Sequence, residues 1–212
     1  MAEKTDTRLS RDNGASYPYL AFAVDETLVS CFYALLQQGV MVRCSTGCSV
    51  GAFLREQIRV RNETIEKIQS VILDGKPVDD LETARIKNGS TLALSAAMPG
   101  LVGATLRRGG TYSSFRSAIT YHETEAACEP GEGVVKIKIF NLLMSGLGRD
   151  LLKRGVMVSA ADARNFIAEQ SYDFWQGCRR ITLDSAPVAS ETLREAAWLS
   201  GKDQVILSVS SD

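Results

Sequence analysis

Cysteine and histidine are the residues here with the readiest chemistry. Cys44-Ser45-Thr46-Gly47-Cys48 sets two thiols at C-x3-C spacing where a strand is expected to turn into a helix. Such a pair suits metal chelation or redox cycling, and a helix start lowers a thiol pKa. The second cysteine pair of a structural zinc site is missing, and Cys31, Cys128 and Cys178 are scattered, so the pair reads as structural. His122, the single histidine, precedes Cys128 within TYHETEAACEPGEG. A Cys–His nucleophilic couple needs preorganisation that an acidic, turn-rich linker does not supply. The chain has no G-x-x-x-x-G-K-S/T, no strand-borne G-x-G-x-x-G and no H-E-x-x-H. The expectation is therefore no catalytic residue, no metal and no cofactor: not an enzyme.

Composition narrows the partners. The 212 residues carry 24 Lys+Arg against 25 Asp+Glu, a formal net charge of −1. Nucleic acid and anionic lipid both call for a basic surplus, so neither is expected as a partner. Hydrophobic residues at 45% and charged residues at 23% match a soluble globular chain. The opening MAEKTDTRLSRDNGAS has no apolar run and reads as a flexible arm over 1–16. With an odd number of cysteines and no signal-like segment, reduced thiols and a cytoplasmic location are expected. The longest uncharged stretch, Asn88 to Leu106, is broken by Pro99 and Gly100 and reads as a strand followed by a loop rather than a membrane span.

The elements that would position any site come from an internal repeat. Leu35-Leu36-Gln37-Gln38-Gly39-Val40-Met41-Val42 returns as Leu151-Leu152-Lys153-Arg154-Gly155-Val156-Met157-Val158, differing only at the third and fourth positions. Leu73-Asp74-Gly75-Lys76-Pro77-Val78 returns as Leu183-Asp184-Ser185-Ala186-Pro187-Val188, and Leu92-Ala93-Leu94-Ser95 as Val205-Ile206-Leu207-Ser208. Three matches in the same order point to two copies of one unit, over about 30–98 and 134–209.

Within the second copy, Val134–Leu143 alternates as a half-buried strand and Val156–Val158 starts its partner. Ser159 with Asp162 three residues on opens a helix to about Gln170. Strand Arg180–Leu183, a turn, a short helix over Glu191–Leu199 and strand Val205–Val209 complete it. The first copy reads as strand Leu28–Leu36, strand Val40–Cys44, helix Ser49 to Gln57, strand Ser70–Leu73, the Asp74-Gly75 turn and strand Thr91–Ser95. Trp175 and Trp198 are expected in the core, and Arg179-Arg180 on a wet strand face.

VILDGKPVDDLETARIKNGSTLAL, with ETLREAAWLSGKDQVILSV in the second copy, resembles the second half of ubiquitin and of sulfur carriers of the ThiS and MoaD type. The resemblance implies an α+β chain of two tandem β-grasp (ubiquitin-like) domains, each a mixed sheet wrapped around one main helix. The expected boundaries are 17–98 for the first domain, 99–132 for a connector with a short helix and 133–212 for the second domain.

The connector carries the functional expectation. Leu106-Arg107-Arg108-Gly109-Gly110 resembles the L-R-G-G tail of ubiquitin-like modifiers, in which side-chain-free residues thread into an adenylating site. The resemblance implies a modifier or sulfur carrier cut after Gly110, although the chain runs on to Asp212. The plainer reading of the segment is a Gly/Pro-punctuated connector with solvated arginines, and beside it stands a binding role. Met98, Leu101, Val102 and Leu106 are apolar in an expected loop. Tyr112, Phe115 and Ile119 fall on one face of a short helix, with Arg116 pointing elsewhere. The expectation is a non-enzymatic adaptor that binds another protein through sheet faces and through Met98, Leu101, Val102, Leu106, Arg107, Arg108, Tyr112 and Phe115. Packing of this helix between the two domains is the alternative, and self-association is left open.

Overall fold

The computed structural model describes residues 17–123, 130–195 and 197–211; the expected arm over 1–16 and Cys128 lie outside the described residues. Ten strands alternate with short helices: β1 (Tyr19–Val24), β2 (Val40–Ser45), β3 (Ser70–Leu73), β4 (Lys76–Pro77) and β5 (Thr91–Ser95), then β6 (Glu132–Phe140), β7 (Val156–Ser159), β8 (Cys178–Leu183), β9 (Ala186–Pro187) and β10 (Gln204–Ser211). The class is α+β with mixed strand pairing. No helix among the described residues is long and apolar enough to cross a membrane.

The chain divides into a central unit, Leu36–Gly148, and a terminal unit made of Met1–Leu35 and Arg149–Asp212. These are not the two sequential domains expected at 17–98 and 133–212. The connector belongs to the central unit, and the N-terminal strand belongs with the C-terminal residues.

In the central unit the strand order is β4-β3-β5-β6-β2. Strands β5 and β6 run parallel, and every other neighbouring pair is antiparallel. Alternation along β6 buries Val135, Ile137 and Ile139 and leaves Lys136 and Lys138 partly exposed, so one sheet face is apolar. Val50, Phe53 and Leu54 belong to the same core. They lie on the helical run Val50–Ala52 and Phe53–Gln57, which starts where the Ser49 hydroxyl accepts from the Ala52 N–H at 3.0 Å.

The terminal unit repeats the plan in the order β9-β8-β1-β10-β7, again with a central parallel pair, β1 and β10. Its main helix, Ala160–Glu169, opens as expected: the Ser159 hydroxyl accepts from the Asp162 N–H at 3.0 Å. Phe22, Phe32, Phe166 and Phe174 form an aromatic cluster in this core, with Phe32 and Phe166 ring centroids 4.8 Å apart. Trp175 is buried against Phe174 and Trp198 is half-buried, so the core expectation holds best for Trp175.

Equivalent hydrogen bonds show which strands correspond. Asp74 N–H donates to Thr91 O at 2.9 Å, and Asp184 N–H donates to Tyr19 O at 2.8 Å. Lys136 N–H donates to Ser90 O, and Ile206 N–H to Pro18 O. The counterpart of β5 is therefore β1, and the counterpart of β10 is β6. The expected match of Leu92–Ser95 with Val205–Ser208 is corrected accordingly: similar apolar alternation recurs in both central strands and does not tell them apart.

A second correction concerns Leu28–Leu36, expected as a strand. The segment is helical, as a 3-10 helix Glu26–Phe32 followed by an α-helix Tyr33–Gln38. The repeated Leu-Leu-x-x-Gly is a helix end. Gly39 and Gly155 stand at φ 110° and 93°, the left-handed conformation that halts a helix and that glycine adopts without strain.

Candidate functional site

Residues 99–123 of the expected connector fold as a ledge of the central unit. After β5, the Asn141 amide donates to Ser95 Oγ at 3.1 Å and to the Ala97 carbonyl. Pro99 leads into a helix, Gly100–Leu106. Gly103 sits so close to the Met98 backbone that an added Cβ would lie 1.8 Å from the Met98 oxygen, so this position requires glycine. Past the helix, Arg108 N–H donates to Gln69 O at 2.7 Å, and Arg107 Nη2 donates to Gln69 Oε1 at 2.7 Å.

Arg116 locks the ledge. Its side chain belongs to the 3-10 helix Ser113–Ile119 and is 3% exposed. Nε donates to Thr105 O at 2.6 Å, Nη1 to Asp79 Oδ2 at 3.0 Å and Thr120 Oγ1 at 2.8 Å, and Nη2 to Asp79 Oδ1 at 2.6 Å and Arg107 O at 3.3 Å. All five guanidinium donors are thus used, the condition under which a buried arginine is tolerated. Burial pushes the Asp79 carboxyl up, but hydrogen bonds from Arg116 and the Gly109 N–H outweigh it and hold the group below its ordinary value. Tyr121 N–H donates to Pro77 O at 2.8 Å, and Glu123 bridges the Tyr121 hydroxyl, the Arg85 N–H and Lys87. Burial, then the bond to Glu123, pushes the Tyr121 phenol up to about 12.

With its underside fixed, the ledge turns its apolar residues outward. Seven large apolar side chains are exposed among the described residues, and five lie here: Leu101, Val102, Tyr112, Phe115 and Ile119. Phe115 is 81% exposed and Leu101 72%. Tyr112 and Phe115 have ring centroids 6.1 Å apart. Neighbouring exposed side chains of this kind mark interaction surfaces more often than isolated ones do. Met98 and Leu106, expected in the same set, are half-buried and support the ledge from within. Arg116 does point away from Phe115, into the protein rather than to solvent. The sequence reading missed Asp79, which the fold brings to Arg116, and Gln69, which it brings to Arg107 and Arg108.

Gly109 and Gly110 lie inside the ledge. Gly109 N–H donates to Asp79 Oδ1 at 3.0 Å and Gly110 N–H to Arg107 O at 3.1 Å. The pair forms a braced turn at φ +60° for Gly109 rather than an extended tail.

The other candidates are less organised. Cys44 is buried, and desolvation pushes its thiol up to about 11; the Cys48 thiol is also raised, chiefly by desolvation. Gln57 Nε2 donates to Cys48 Sγ at 3.1 Å. Desolvation moves both thiols away from nucleophile activation, and the bond from Gln57 offsets that only in part at Cys48. Among the described residues no three His, Cys, Asp or Glu side chains group to hold a metal ion. His122 is exposed. Arg179 pairs with Asp25 at 2.7 Å on the surface.

Comparison with protein-family models, with curated proteins and with solved structures yields no significant match in any of the three.

Proposed function

We propose that this protein is a non-enzymatic binding module, built from two ubiquitin-like β-grasp units, that holds another protein on the ledge of its central unit. The observation that carries the reading is the exposure of Leu101, Val102, Tyr112, Phe115 and Ile119 on a segment that Arg116 pins from beneath. A mobile loop with the same residues would lose ordering entropy on binding, whereas a fixed ledge has already met that cost. The β-grasp reading rests on the five-strand order of each unit, with a parallel central pair flanked by antiparallel neighbours, and on one capped helix in each core. Raised thiol pKa values favour a module without nucleophilic chemistry.

Quantitative affinity purification from the native cell tests the reading with Leu101→Asp and Phe115→Asp variants. Both positions are exposed, so the variants should melt within about 0.5 kcal/mol of the parent. The expected outcome is loss of one or more stoichiometric partners from both variants. Retention of every partner by both, with folding intact, would remove the ledge as the binding surface.

A further inference from the structure

The charges contributed by the ledge segment itself, up to His122, are basic. From Thr83 to His122 the chain contains no carboxylate, yet it contains Arg85, Lys87, Arg107, Arg108 and Arg116, in a protein whose net charge is −1. Arg116 is spent on Asp79 and Lys87 on Glu123. Among the described residues, Arg107 and Arg108 form no ion pair. Arg107 is exposed and Arg108 partly so. Arg107 is tied to the apolar face through the backbone: Arg116, which directly follows Phe115, grips the carbonyls of Thr105 and Arg107, and Arg108 is the next residue.

Resting on the proposed binding reading, we infer that the ledge recognises an acidic amphipathic peptide segment, with apolar side chains on Leu101, Val102 and Phe115 and carboxylates on Arg107 and Arg108. Arginine forks match carboxylates bidentately, and arginine beside aromatic side chains is enriched in protein interfaces. Asp79, the carboxylate that borders the ledge, is already engaged by Arg116 and the Gly109 N–H, so a basic partner gains little from it and faces Arg107 and Arg108. An anionic membrane would draw on the same charges less well. Two unpaired arginines contribute about 1 kcal/mol each near an anionic leaflet, whereas membrane-reading patches cluster about four to eight basic residues.

Selection of a phage-displayed library of random peptides on the intact protein tests the assignment. Enriched peptides should combine Asp or Glu with Leu, Ile, Phe or Trp. Their affinity should fall about ten-fold or more for Arg107→Glu/Arg108→Glu and for Phe115→Asp, given that close charge pairs are coupled by about 1.5 kcal/mol or more. Thermal melting of each variant checks that it folds. Peptides that need Phe115 but ignore the arginines would overturn the acidic partner and leave the binding module standing. A pool indifferent to Phe115 as well would sink both. Phosphatidylserine vesicles that sediment the protein in a Phe115-dependent way, with no peptide enriched, would replace the peptide by a lipid surface and overturn the inference.

Discussion

Arg116 and Asp79 meet fork to fork, Nη2 to Oδ1 at 2.6 Å and Nη1 to Oδ2 at 3.0 Å, and this pair joins the outward-facing ledge to the segment that follows β4. Asp79→Ala strands a guanidinium that is almost wholly enclosed, and breaking such a pair costs on the order of 3 kcal/mol. Arg116→Lys retains the charge but loses the fork and the carbonyl contacts, and should cost about 1–2 kcal/mol. Arg107→Ala, at an exposed position, should change stability by no more than about 0.5 kcal/mol. Denaturant unfolding measures all three. Equal, small effects would show that the pair does not hold the ledge.

Acid should act on a second ion pair. Glu26 lies against Arg149, with Oε1 at 2.5 Å from Nη1, and hydrogen bonds from Arg149 and Ser211 bring its pKa from 4.5 down to about 2. A depressed carboxylate stabilises the folded state above its unfolded pKa, and that contribution is lost as pH falls through the folded value. The loss should therefore run from about pH 4.5 down to pH 2. Side-chain NMR titration should give a Glu26 midpoint near 2, and Arg149→Met should return it towards 4.5. A wild-type midpoint at the ordinary value would refute the pairing.

Thiol reactivity should be low. Desolvation pushes Cys178, like Cys44, up to about 11. Iodoacetamide at pH 8 should modify both more slowly than a free thiol, because little thiolate is present. Mass spectrometry of tryptic peptides reads the rates at each position. Fast alkylation of Cys44 would revive a catalytic or redox role.

The two turns that follow β3 and β8 provide an internal control. Asp74-Gly75 and Asp184-Ser185 both hold positive φ at both central positions, 51° and 80° in the first, 50° and 73° in the second. That is the type I′ signature, in which glycine is favoured. Ser185→Gly should relieve left-handed strain and stabilise the protein by about 0.5–1 kcal/mol, net of the entropy glycine adds to the unfolded chain. Gly75→Ser should cost a similar amount. A melting temperature that moves the other way for Ser185→Gly would overturn the turn assignment.

These particulars also show what the sequence could disclose. Strands Ser70–Leu73 and Thr91–Ser95 and the helix opened by Ser159 were legible because alternation and a capping serine are local signals. The helix ending at Gln38 carries no distinct local signal, because Leu35-Leu36 before Gly39 fits a strand end as well as a helix end. The pairing of β1 with β8 and β10 was beyond reach, since Leu20 and Leu92 look alike and only long-range hydrogen bonds distinguish their neighbours. At the site, Phe115 and Tyr112 were visible as an apolar face. The role of Arg116 was not, because its acceptor Asp79 is 37 positions away and no spacing rule links them.

The place of β1 in the terminal unit has a bearing on biosynthesis. This strand is synthesised before the whole of the central unit, while β10, beside which it pairs, is made after it. The central unit is contiguous and can close while synthesis continues. Leu20 and Phe22 must wait, with both strand edges unpaired, until β8 and β10 have been made. A nascent chain stalled after Gly148 would carry a finished central unit and an orphan strand, the species on which a holding chaperone would act.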